Sequence, residues 1–368
     1  MILYKHGFWG CAFVCALKGS VFPKVMVIAI PNACLALFIT RLCRETEGGE
    51  DSFAEQVKGI FSLWSSYSFV LGFLIVFRNN QAYTRFWEGA TLINQIRGEW
   101  FNAVSNLFSF CSQDTAKHDK VEYFQYVLVR LCSLLYCLAL QQVCEFDDDA
   151  FEVINIDTMD PKSTCFLREA PDRCELVMNW LQRLIIENDK AKVLDVPPPV
   201  LSRSFQELSR GIVNLNNVRK IQDVPFPFPY AQLICFMLVV HWLMTPIIAA
   251  STIQSSWVAA CMSFLVVTCF WCLYFIALEI DQPFGEDHND LPIKEMQRDF
   301  NASLLTLLKP VAQAPPRFHI QRDGMGVPTV YLMPCTSDIN LAVELRPSSG
   351  ADSVKENAIF RGRSVTQK

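Results

Sequence analysis

Two groups of residues in this chain could do chemistry. The first is a ladder of phenylalanines, Phe69, Phe73 and Phe77, in an apolar run that turns at Arg78 into a polar and basic collar: Asn79, Asn80, Gln81, Tyr83, Arg85, Trp87 and Glu88. Four-residue steps put the rings on one helical face, drifting by about 40° per step. Single bulky rings running into charge suit the wall of a narrow pore; a packed or lipid-facing helix is the alternative. If identical helices surround an axis, each position becomes a ring of side chains, and stacked aromatic rings exclude water and gate by dewetting. Electropositive ring edges turned inward tolerate a large, weakly hydrated anion better than a cation. The second group is rich in oxygen: Asp281, Glu286, Asp287, Asn289 and Asp290, directly after the last apolar segment. Oxygen ligands at that density suit Ca²⁺, although their spacing is not that of an EF-hand loop. The same residues could instead cap a helix and pair with Arg78, Arg85 or Arg97.

The elements that position these groups follow from hydropathy. A bilayer crossing needs about 20 mostly apolar residues, and four segments qualify: 25–42, 60–77, 230–250 and 257–278. The second carries Ser62, Ser65, Ser66 and Ser68, as expected of a helix with one face on water or ions. The last two form a hairpin through the short, uncharged link 251–256. Between the second and third lie amphipathic patterns over 90–110, 121–143, 174–188 and 202–221. The 121–143 stretch is long and apolar, but Glu122, Gln125, Arg130, Gln141 and Gln142 break it, so it is expected to pack outside the bilayer. The acidic, turn-rich 144–168 stretch reads as a loop. Pro197 to Pro199 separate the last two patterns, and Pro225 to Pro229 lead rigidly into the third crossing. Residues 1–24 read as an interfacial segment, and the Pro-, Ser- and Gly-rich tail 309–368 as extended or disordered. Lys5, Lys18 and Lys24 before the first crossing and Arg78, Arg85 and Arg97 after the second place the termini and the 78–228 helical region on the cytosolic, or stromal, side.

Composition agrees. The chain has 368 residues, 51% of them hydrophobic, too apolar for an average soluble domain. A net charge of −5 gives no support to nucleic-acid binding. Most of the 15 cysteines lie in apolar runs and act as small hydrophobes; the odd count, with Cys165 and Cys174 alone in a polar region, points to a reducing compartment. Cys269 and Cys272 form a CxxC without a second pair, which does not make a metal site. His241 stands alone in a membrane segment, too few for a haem. There is no glycine-rich phosphate loop, nucleophile elbow or HExxH pattern, so an enzyme is not expected.

Three stretches carry a family resemblance: RNNQAYTRFWEG (78–89), EIDQPFGEDHNDLP (279–292) and, more weakly, VFPKV (21–25). In this order they resemble the bestrophin family, closest to its bacterial and plant branches, over about 21–308. The resemblance implies an all-α membrane protein with four transmembrane helices per subunit and a large cytosolic helical region, assembled as a homopentamer in the lipid bilayer. It implies a channel for chloride and other small anions such as bicarbonate or nitrate, with a neck at Phe69, Phe73 and Phe77 and a cytosolic aperture at Val200. In animal members a calcium clasp occupies the PFG-acidic segment. The matching positions are Asp287 and Asp290 for side chains and Glu279 and Gln282 for carbonyls, although His288 and Asn289 interrupt the acidic run. No other cofactor is implied. A cation-conducting relative, a transporter or a metal-dependent membrane enzyme are the alternatives. The plasma membrane and an organelle membrane, including the thylakoid, are both compatible.

Overall fold

The computed structural model describes residues 16–46, 51–144 and 151–317. The interfacial segment expected at 1–24 lies mostly outside these residues, as does nearly all of the tail expected at 309–368. Among the described residues every regular element is helical, apart from an isolated bridge between Cys111 and Leu194.

The apolar bundle comes first. Helix α1 spans Phe22–Thr46, α7 Phe228–Thr252 and α8 Ser256–Ile280, each close to its expected crossing and a little longer. Pro246 inside α7 leaves the Trp242 carbonyl, four residues back, without its helical partner, and side chains bridge the helices at this level. Trp242 Nε1 donates to the Ile28 carbonyl at 3.1 Å, Asn32 Nδ2 to the Trp242 carbonyl at 2.6 Å, and Ser263 Oγ to Asn32 Oδ1 at 2.6 Å. Such bonds hold apolar helices together where the hydrophobic effect between them is absent. His241 is buried in the same bundle, stacked on Trp64 at 5.0 Å and tilted against Phe270 at 4.6 Å, with Thr245 Oγ1 donating to its carbonyl. It is a packed core histidine.

Helix α2 runs unbroken over Asp51–Ser109, 59 residues. The sequence suggests two helices, over 60–77 and 90–110; the polar collar between them is instead continuous helix. The chain has no proline between residues 32 and 160, and the collar's Arg, Asn, Gln and Glu side chains are tolerated in a helix where one face meets solvent. The first half of α2 packs on α7 and α8 through Leu71 and Ile75, and the second half enters a separate core.

That core is the helical body. Helix α3 spans His118–Gln141, α5 Arg173–Lys190, α6 Pro198–Asp223 and α9 Ile293–Leu307. Trp100, Phe124, Tyr136, Phe284 and Phe300 are its largest fully buried side chains. Among the described residues five stretches are long and apolar enough to cross a membrane, and α3 lies in one of them. Phe124, Leu128, Leu135 and Tyr136 are nevertheless buried against other protein helices, as expected of a packed helix.

Two glycines set close approaches. At Gly211 a Cβ would collide with the Trp100 indole, so this glycine lets α6 lie against α2, where Trp100 Nε1 donates to the Leu208 carbonyl at 3.3 Å. At Gly89 a Cβ would stand 2.7 Å from Phe284, so this glycine seats the PFG loop on α2. Within the expected loop, residues 151–168 are more ordered than the sequence suggests. Helix α4 spans Pro161–Glu169, started by Asp160, whose carboxylate accepts from the Ser163 N–H at 2.8 Å, and by Pro161 at its first position. Residues 152–154 are sewn into the body: Asn301 Nδ2 donates to the Glu152 carbonyl at 2.7 Å, and the Ile154 N–H to Ser133 Oγ at 3.2 Å. A short helix α10, Pro310–Gln313, begins the expected tail and is pinned by reciprocal Gln125–Gln313 amide contacts.

Candidate pore face and acidic loop

Along α2 one face is buried and the other bare. Leu71, Ile75, Arg78, Ala82 and Gly89 turn inward. Phe69 is 77% exposed and Phe73 65%, whereas Phe77 is 37% exposed because its ring meets Tyr230 at 6.1 Å. The bare face continues through Asn80, Tyr83, Thr84, Trp87 and Glu88. One helical face thus passes from apolar to polar without being covered by its own chain. Val200 lies in the first turn of α6, exposed, its N–H bonded to the Pro197 carbonyl at 2.9 Å.

The three arginines after the ladder have different partners. Arg85 Nε sits 3.0 Å from Asp281 Oδ1, while its Nη1 and Nη2 donate to the Val224 and Ile221 carbonyls at 2.6 and 2.8 Å. It therefore joins α2 to the end of α8 and to the last turn of α6. Arg97 Nη2 donates to Ser303 Oγ at 3.3 Å. Arg78 is buried, and its guanidinium lies over the rings of Phe226 at 5.4 Å and Tyr274 at 4.9 Å. Its Nε and Nη1 have no hydrogen-bond partner, so aromatic faces hold this cation where a carboxylate would be usual.

The acidic loop is committed to internal contacts. The Glu279 carboxylate takes the Lys24 ammonium at 2.8 Å on one oxygen and the Asn289 amide at 2.8 Å on the other. The Asn289 amide also reaches the Gly19 carbonyl at 2.9 Å. Asp290 is buried and its Oδ2 accepts from the Asp287 N–H at 2.8 Å, close against Gly285. Burial raises the Asp290 pKa above the usual carboxylate range, more than the Asp287 hydrogen bond lowers it. Gln282 and Asp287 are exposed. Side chains alone do not make a calcium site here: among the described residues no three acidic, histidine or cysteine side chains converge on one point, and Asp290 Oδ2 is already taken by the Asp287 N–H. The loop ties the start of α1 to the end of α8. Of the arginines considered from sequence, only Arg85 pairs with one of the loop's acids.

The sequence reading missed Tyr230, Phe226 and Tyr274, which surround the base of the ladder. For Phe226 and Tyr230 the signal was their aromatic character in and beside the PFPFP run; Tyr274, in α8, had none. It also missed the contact between Asn289 and Gly19, which no local pattern announces.

Comparison with known proteins places these features. The profile of the bacterial/fungal bestrophin proteins matches residues 2–306. A voltage-dependent anion channel-forming protein of Nostoc is 28% identical over 250 residues, covering 66% of this chain and 76% of that protein. A protein of the same description from Synechocystis is 24% identical over 255 residues, again 66% and 76%. Another from Mesorhizobium japonicum is 23% identical and covers 82% and 89%. None of these relatives is named as an enzyme. The fold resembles a bacterial bestrophin homologue from Klebsiella pneumoniae, with a TM-score of 0.63 at 17% identity, covering 77% of this chain and 98% of that one. With the expected motifs, an all-helical fold and a profile match over most of its length, the chain is an integral membrane protein that belongs to the bacterial/fungal bestrophin family.

Proposed function

We propose that this chain forms a homopentamer around one axis lined by α2, and that it conducts small monovalent anions, chloride first and bicarbonate or nitrate among the rest. One observation carries this reading. The face of α2 bearing Phe69 and Phe73 is left bare by the subunit's own packing, and it runs on into exposed Asn80, Thr84 and Glu88. A lipid-facing surface would stay apolar and a core-facing one would be covered, whereas a face shared by identical helices around an aqueous axis needs both characters. In this reading Phe69, Phe73 and Phe77 form the neck, a dry section about 12 Å long from eight steps at 1.5 Å rise. Val200 forms a second narrowing at the cytosolic exit. The relatives' description as anion channel-forming proteins supports the sign of the ion. Ring edges that carry positive potential explain it physically. Calcium has no part in the conduction step in this reading, since the Glu279 and Asp290 carboxylates already have internal partners in Lys24, Asn289 and the Asp287 N–H.

The test is the reversal potential of the purified protein in planar bilayers under asymmetric KCl. Reversal near the chloride equilibrium potential supports the proposal. Reversal near that of potassium would make the channel a cation conductor, and flux without unitary steps would make the protein a transporter.

A further inference from the structure

The lowest ring of the ladder differs from the other two. Phe69 and Phe73 stand free, while Phe77 is turned back onto Tyr230 in the first turn of α7, at 6.1 Å and 46° between planes. Tyr230 in turn meets Phe226 at 6.2 Å. Phe226 covers the guanidinium of Arg78, the residue next to Phe77. Two turns further along α2, Arg85 holds the carbonyls of Ile221 and Val224. Pro225, Pro227 and Pro229 fix the backbone between these contacts, since each proline locks its own φ. The end of α6, the linker and the base of the ladder are therefore one continuous set of contacts. Phe226 supplies the buried Arg78 with a ring face, and the guanidinium Nε and Nη1 carry no hydrogen bond. A ring can slide on a guanidinium without breaking a bond, so this joint adjusts more easily than an arginine–carboxylate pair would.

We infer that Tyr230 is a gate-positioning residue, parking the Phe77 ring against its own chain, and that the Phe226–Arg78 contact and the Arg85 clamp tie that parked position to the end of α6. The inference rests on reading Phe69, Phe73 and Phe77 as the neck. The parked ring is the retracted one, because it is the least exposed of the three. Helix α6 carries Val200 near its other end, about 35 Å from Asp223 at 1.5 Å per residue. One rigid element therefore reaches from the outer edge of the conduit to the neck.

The experiment is single-channel recording of full-length protein in bilayers, with a double-mutant cycle. Tyr230→Leu is expected to lower open probability by roughly two- to tenfold, the range for loss of one aromatic pair, with unitary conductance unchanged. Tyr230→Phe, which keeps the ring, should behave as wild type. In a Phe77→Ala background Tyr230→Leu should have no further effect, because the ring it positions is gone. Phe226→Leu should act in the same direction and also fall silent in that background; it serves if Tyr230→Leu does not assemble. Normal open probability in Tyr230→Leu, or an effect of equal size with and without Phe77, would overturn the inference. Phe69→Ala and Phe73→Ala separate it from the neck reading. If they alter gating and Tyr230→Leu does not, the neck stands and the parking role falls. If Tyr230→Leu acts through Phe77 while they are silent, the parking role stands and the neck shrinks to one ring. If none alters gating, both fail.

Discussion

Removing Phe69 and Phe73 together is the sharpest test of the neck, and the structure says why these two should be taken before Phe77. A phenylalanine side chain presents about 200 Å². With 77% and 65% exposure, roughly a quarter to a third of each ring is covered by its own chain. At about 25 cal/mol per Å² that is about 1–2 kcal/mol for each truncation. Phe77, with nearly two thirds of its ring covered, would lose about 3 kcal/mol by the same reckoning. A fully buried ring such as Phe300 would cost about 3–5 kcal/mol. The Phe69→Ala/Phe73→Ala protein should therefore fold and assemble, whereas a Phe300→Ala control should be visibly destabilised. Functionally the double variant cuts the dry section from about 12 Å to a single ring. Water then enters, and current should rise and lose its dependence on any activating signal. The assay is bilayer recording of wild-type and double-mutant protein from matched preparations, with thermal melts in detergent beside it. A well-assembled double mutant with unchanged open probability would refute the neck: these rings would then face lipid or a neighbouring helix.

Other outcomes follow from the same structure. Native mass spectrometry in detergent should show five subunits; a monomer or dimer as the only species would sink the shared-axis reading. Currents should be the same in chelator and in micromolar calcium, and a calcium-dependent open probability that Asp287→Ala/Asp290→Ala abolishes would restore the clasp. Asp290→Asn should leave stability at neutral pH unchanged or raised. The folded pKa of Asp290 lies above its ordinary 3.8, so its contribution is full below that value and lost as pH rises through the folded pKa; melts of the two proteins should converge on acidification. Gly89→Val should cost about 1–3 kcal/mol or prevent folding by overpacking, because its Cβ would meet the Phe284 ring; an unchanged melting temperature would contradict the seating of the PFG loop on α2.

Much of the fold was legible from hydropathy alone. Crossings read at 230–250 and 257–278 sit within α7 and α8, because apolar runs bounded by prolines or polar links leave little choice. The breaks at Glu122, Gln125 and Arg130 correctly kept α3 among protein neighbours. What was not legible depended on context. The collar after Phe77 read as a boundary because its composition changes abruptly, yet nothing in it breaks a helix, so α2 continues. The 144–168 stretch read as loop on composition, although Asp160 followed by Pro161 is a helix-start signal that could have been used. At the site, the face of the ladder followed from periodicity. The difference between Phe77 and the rings above it did not, since it arises from Tyr230, some 150 positions along the chain. The acidic loop shows the same limit: residue types suggested a cation ligand set, and only the fold reveals that Lys24 is the cation it holds.

Helix α3 carries a consequence for how the protein is made. By length and composition it resembles a crossing, and it is synthesised directly after α2. The partners that cover it in the finished subunit include α9, which is not translated until α7 and α8 have left the ribosome. For that interval the insertion machinery meets an apolar segment whose shelter does not yet exist, and Glu122, Gln125 and Arg130 are the polar residues inside it that argue against its entering the lipid. These polar residues therefore act during biogenesis as topology signals. Replacing them with leucine would yield a subunit with a fifth crossing and every downstream helix on the wrong side of the membrane.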